Sequence, residues 1–106
     1  MKQTSEDKLR TQLVENLLEV LATLHDSDEV YELLQDLCTP REIAEMSQRL
    51  EVARLLDAKS SYVDVQEATG ASATTISRVS KCLNYGSGGY EHALRIIAPD
   101  TDEKGA

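Results

Sequence analysis

A chain of 106 residues with no Phe and no Trp must fill its interior with Leu, Val, Ile and Ala, and its length allows one domain or one subunit of a small oligomer. No apolar run is long enough to span a bilayer, because Glu15 and Glu19 interrupt the richest one, and the opening MKQTSEDKLR lacks a secretory apolar region. The formal net charge of −8 argues against nucleic acid as a partner of the whole surface, and leaves open what a local patch could bind.

Taken in chain order, the first helix is predicted from about Ser5 to Leu24, with Thr4 or Ser5 as its N-cap and Glu6 and Asp7 at the positive end of the dipole. Its apolar residues Leu9, Leu13, Val14, Leu17, Leu18, Val20, Leu21 and Leu24 cover an arc of roughly 180° at ~100° per residue, wider than a single core requires. Such a helix needs two neighbours or a partner chain. His25-Asp26-Ser27-Asp28 breaks it. Ser27 is expected to cap a second helix, from Asp28 to about Cys38, with Val30, Tyr31, Leu33, Leu34 and Leu37 inward.

Thr39-Pro40-Arg41-Glu42 is the sharpest boundary: a capping threonine, a proline suited to the first helical position and a glutamate that completes a capping box. A third helix follows to about Ala58, with Ile43, Met46, Leu50, Val52, Ala53, Leu55 and Leu56 as candidate core. Ser61 caps a short fourth helix over 62–69, with Asp64 at its third position, and Gly70 ends it as a left-handed C-cap. Ser72 caps a fifth helix running to about Asn84. The stretch Asn84-Tyr85-Gly86-Ser87-Gly88-Gly89 reads as a turn, and a last helix from about Tyr90 to Ala98 stops before Pro99. The expected architecture is all-α, about six helices in a single domain over 1–98, followed by a disordered tail over 99–106.

Within this plan, residues 62–84 form a helix-turn-helix, the unit in which a second helix enters the DNA major groove N-terminus first. Val65, Ala68, Ala71, Ile76 and Val79 make the inner face. The second helix opens with the small or hydroxylated residues Ser72, Ala73, Thr74, Thr75 and Ser77, which let the backbone approach base edges and can bond to them. Arg78 and Lys81 follow one turn later, within reach of phosphates or guanines. Gln66 stands on the first helix of the unit, where small residues commonly let the two helices cross. Charge supports the reading. Residues 1–40 carry net −6 and residues 41–69 net −2. Residues 70–90 have no acid and two bases, and residues 91–106 carry net −2. The bland alternative is a helix pair that only builds a core.

Cys38 and Cys82 lack CxxC or Cys/His spacing and read as buried, reduced thiols, which fits the cytoplasm. His25 and His92 have no ligand-spaced partners and read as surface or helix-end residues. No metal and no cofactor is expected. An enzyme is not expected either, since no nucleophile–base–orienter set and no glycine-rich phosphate loop is visible.

The segments TPREIAEMSQRLEVARLL and ATGASATTISRVSKCLNYG, with the LCTP run before them, resemble the Trp repressor family, and within it the YerC/YecD-type branch of small bacterial proteins. The resemblance covers roughly residues 30–95. It implies an intertwined, all-helical homodimer that binds double-stranded DNA and acts as a transcriptional repressor. It also implies an effector pocket, in which two arginines sandwich the indole of tryptophan. Their counterparts are Arg49 and Arg78, and Thr39 matches a threonine near the same pocket. Two positions depart: Val79 stands for a glycine that leaves room for the ligand, and Cys82 for a serine near its amine. A valine there would intrude on the indole, so tryptophan is not the expected effector. Val63 and Gln66 replace basic residues of the first motif helix, so fewer or different phosphate contacts should follow. Read without the resemblance, Arg49 is a helix-face residue paired with Glu45 or another neighbour. The competing functional reading is a helical dimer that binds protein or a small molecule and has no DNA to read, in keeping with the acidic surface.

Overall fold

The computed structural model describes residues 7–97. They form six helices and no strand: α1 (Gln12–Thr23), α2 (Ser27–Leu37), α3 (Pro40–Asp57), α4 (Tyr62–Thr69), α5 (Ala73–Tyr85) and α6 (Gly89–Ile97). The all-α architecture is thus as the sequence predicts, and the tail over 99–106 lies outside the described residues. The chain divides into two compact units, one ending at Pro40 and one beginning at Arg41.

In the first unit, α1 begins at Gln12 and not near Ser5. Thr11 is extended (φ −82°, ψ 177°) and its hydroxyl accepts the Val14 N–H at 3.3 Å, which makes it the cap. Arg10 pairs with Glu15 across this start. Residues five apart on a continuous helix point ~140° away from each other, so that pair forms because the chain ahead of Thr11 is a turn. The cap of α2 also differs by one residue. Asp26 accepts the Asp28 N–H at 3.3 Å, so a carboxylate, not the Ser27 hydroxyl, meets the positive helix end. Neither helix buries a single side chain.

The second unit holds the core. Val52 and Ala53 of α3, Val65 of α4, Ala71, Ile76 and Val79 around α5, and Leu94 of α6 are buried together, with Leu50, Leu55, Leu56, Leu83 and Tyr90 packed against them. Of the candidate core of α3, only Val52 and Ala53 are fully buried, and Met46 is exposed. The apolar residues of α3 are spread around the helix, so no single neighbour can cover them all. Pro40 opens α3 as expected. Ala68, expected inward, is exposed. Thr69 takes the inner position, one turn after Val65, and its hydroxyl donates to the Val65 carbonyl (2.7 Å) and accepts the Ala71 N–H (3.1 Å). The Gln48 side chain of α3 donates to the Thr69 carbonyl at 3.1 Å and ties α3 to the turn between α4 and α5. Cys82 is exposed and Cys38 only half-buried, both free, so the expectation of two buried thiols is not met. Cys82 borders an open cavity between α3 and α6, which leaves it uncovered.

Candidate nucleic-acid interface

The helix pair α4–α5 is built by local chemistry. The Ser61 hydroxyl accepts the Asp64 N–H at 3.1 Å and starts α4. Gly70 ends it at φ 75°, ψ 6°, its N–H bonded to the Gln66 carbonyl at 2.8 Å. Only two residues then separate it from α5. A Cβ at Gly70 would meet nothing within 4 Å, so the demand on this position is backbone conformation alone. Gly70→Ala should therefore cost about 1 kcal/mol, and Gly70→Asn less, because Asn tolerates the left-handed region. Thermal unfolding of the two variants checks this. A loss well above that for alanine would mean that the turn is crowded.

Ser72 starts α5. Its hydroxyl accepts the Thr75 N–H at 3.1 Å and donates to the Thr75 Oγ1, also at 3.1 Å. Two of the hydroxyls proposed from sequence for DNA are thus engaged in the helix's own start, and Thr75 is half-buried. Ala73, Thr74, Ser77, Arg78 and Lys81 are exposed and together line one shallow, open depression of about 470 Å³. Gln66 is exposed on α4 and is not among its lining residues.

The electrostatics of this face differ from the rest. The first turns of α1, α2, α3, α4 and α6 each carry at least one acid, and that of α5 carries none. An uncompensated positive helix end favours an anion. Among the other described cations two are paired, while Lys8, Arg41, Arg49, Lys59 and Arg95 are not. Arg54 is bound to Glu51 at 2.7 Å and holds that carboxyl below its usual range through the hydrogen bond and the charge, and Arg10 is bound to Glu15. Among the described residues Arg78 and Lys81 have no ion pair, which leaves both free for phosphate.

The residues carried over for an effector do not share these surroundings. Arg49 is half-buried on α3 and, among the described residues, makes no ion pair, so the Glu45 pairing is not formed. Arg78 lies on the outward face of α5. Val79 is only 2% exposed and belongs to the core. Cys82 faces a separate, mostly apolar cavity of about 460 Å³, walled by Met46 and Leu50 of α3 and Tyr90 and Ala93 of α6. Neither depression is lined by Arg49. Thr39 is exposed and belongs to the first unit.

The sequence profile of the Trp repressor protein matches residues 12–97, from the start of α1 to the end of α6. This chain belongs to the Trp repressor family. YerC of Bacillus subtilis is 48% identical to it over 97 residues, which cover 91% of this chain and 93% of YerC. Two solved structures agree. A TrpR-like protein from Eubacterium eligens superposes with a TM-score of 0.81 at 46% identity, covering 87% of this chain and 95% of that one. A candidate Trp repressor from Staphylococcus aureus gives 0.81 at 35% identity, covering 92% and 95%. The family profile spans both units, so the fold and its helix-turn-helix are those of the Trp repressor family.

Proposed function

We propose that this chain is a sequence-specific DNA-binding transcriptional regulator, a cytoplasmic homodimer that reads the major groove with α5 and represses. One observation carries the reading: the outward face of α5 presents Ala73, Thr74 and Ser77 followed by the exposed cations Arg78 and Lys81, in a chain that is acidic elsewhere. Membership of the Trp repressor family supports it. Short side chains at the helix start allow approach to base edges, where Thr74 and Ser77 hydroxyls can bond and the Thr74 methyl can pack on a thymine methyl. The cations one turn later neutralise phosphates and set the register. The acidic remainder repels DNA, which confines binding to this face. No helix among the described residues is long and apolar enough to cross a membrane.

The test is selection from a random duplex pool with the full chain, followed by binding titrations on the enriched sequence. In a dimer the two α5 helices should read half-sites about 34 Å apart, so the enriched sequence should be roughly palindromic. Thr74→Ala should change sequence preference. Lys81→Ala should weaken binding about equally on all duplexes and flatten the salt slope by about one. Swapped phenotypes would show that the outward face is assigned wrongly. Failure to enrich any duplex would overturn the DNA reading and favour a helical dimer that binds protein or a small molecule.

A further inference from the structure

Tyr85 is the last residue of α5 and, at 84%, the most exposed large apolar or aromatic side chain among the described residues. An aromatic ring left in water at the end of this helix asks for a reason. Its place is fixed sharply. The helix stops at Gly86, whose N–H still bonds the Cys82 carbonyl at 2.8 Å but whose backbone turns extended (φ −84°, ψ −156°), and a Cβ at position 86 would collide with that same carbonyl oxygen. Residue 86 is therefore held as glycine by contact, and the residue before it is held in the last helical position.

At ~100° per residue, Tyr85 lies within about 20° of both Thr74 and Arg78, and about 40° from Lys81. It belongs to the face that lines the depression, two turns beyond Arg78. Along the axis it stands about 16 Å from Thr74, and a helical side chain leans back over the turn before it, which brings its tip to about 11 Å. Lys81 is its i, i+4 neighbour on that face, ~10 Å from Thr74 along the axis and about 5 Å once the same lean is applied, and the major groove is about 8.5 Å deep. With Thr74 at the groove floor, the flexible Lys81 side chain and the phenol one turn above it thus bracket the height of the phosphates. No acid stands between residues 70 and 90 to repel them.

From this juxtaposition we infer that Tyr85 is a further DNA contact, a positioning residue whose hydroxyl donates to a backbone phosphate beside Lys81 while its ring packs on the adjoining sugar. The inference rests on the assignment of α5 as the DNA-reading helix. A phenol carries no charge and reads no base here, so it contributes register and affinity and no sequence preference.

The experiment is fluorescence anisotropy with the full chain on its enriched duplex and on a scrambled duplex of equal length, across a salt series, for the unmodified protein, Tyr85→Phe and Tyr85→Ala. Tyr85→Phe keeps the ring and removes only the hydroxyl. It should weaken both duplexes by a similar factor, about threefold to tenfold, with Tyr85→Ala weaker still. The salt slope should not change, because no cation is lost, in contrast to Lys81→Ala. Helix content and mass should stay as in the unmodified protein. Unchanged affinity of Tyr85→Phe on both duplexes would overturn the inference, as would a loss confined to the enriched duplex. If the unmodified protein binds neither duplex, the DNA reading itself falls and Tyr85 with it.

Discussion

Val79→Gly should destabilise the protein by about 3 kcal/mol and leave it without affinity for tryptophan. By family resemblance this valine stands where a glycine makes room for an indole, so trimming it looks like a way to restore a pocket. In the fold, however, Val79 is 2% exposed and packs in the cluster of Val52, Val65 and Ile76. Removing its side chain leaves a void in that cluster, at about 2 kcal/mol, and a glycine inside α5 adds about 1. Small domains are stable by only about 5–15 kcal/mol, so the loss is a large fraction of the total. Urea unfolding should show the midpoint falling, and calorimetry with L-tryptophan should show no micromolar binding to either protein. A variant that keeps its stability and gains tryptophan affinity would instead make Val79 a plug in an effector pocket. Tryptophan saturation of the unmodified protein, with tighter DNA binding, would overturn the reading of Val79 altogether.

The same residue shows how far the sequence alone could be read. Positions whose chemistry acts within one turn were legible: Ser61 and Ser72 as caps, Pro40 as a first helical residue and Gly70 as the left-handed stop all stand where local hydrogen bonding puts them. Where two local solutions compete, the sequence does not rank them. Thr4, Ser5 and Thr11 can all cap the first helix, and Asp26 and Ser27 the second. Ala68 and Thr69 compete for one inner position, and the threonine wins because its hydroxyl satisfies two backbone groups there while alanine satisfies none.

The candidate interface was legible for a different reason. Ala73, Thr74, Ser77, Arg78 and Lys81 share a face by helical spacing, and that spacing follows once the helix is placed. Ser72 and Thr75 were drawn into the same group because a hydroxyl that caps a helix and one that bonds a base are the same residue type, and only coordinates separate them. Tyr85 was passed over because the glycines after it made it look like part of a turn. The helix in fact ends one residue later, and that residue completes the face. Arg49 and Arg78 could be paired only by resemblance, since nothing in their spacing brings an α3 residue to an α5 residue.

The first unit leads to the second large effect. Light scattering on the full chain at micromolar concentration should report about twice its 11.7 kDa mass, and Leu13→Glu combined with Leu17→Glu should abolish that species. α1 buries nothing, yet Leu13 is 79% exposed, Leu17 40%, Leu18 39% and Val20 44%. With Gln12 as the true start, Leu9 leaves the helix and the apolar arc narrows to about 160°, still too wide for one neighbour. Within that arc Val14 and Leu21 are half-buried, while Leu13 and Val20 lie to one side and Leu18 to the other. A helix left wet on both flanks is what the proposed dimer would cover. Covering each of these leucines contributes about 1–2 kcal/mol, whereas a glutamate in the same seam must be desolvated without a partner, which costs several. The double variant should therefore fall to the chain mass or lose helix content, with circular dichroism telling the two apart. Because the half-site spacing depends on two α5 helices held together, it should also lose preference for a palindromic duplex over a single half-site. A monodisperse species at the chain mass in the unmodified protein would remove the dimer, and with it the palindrome.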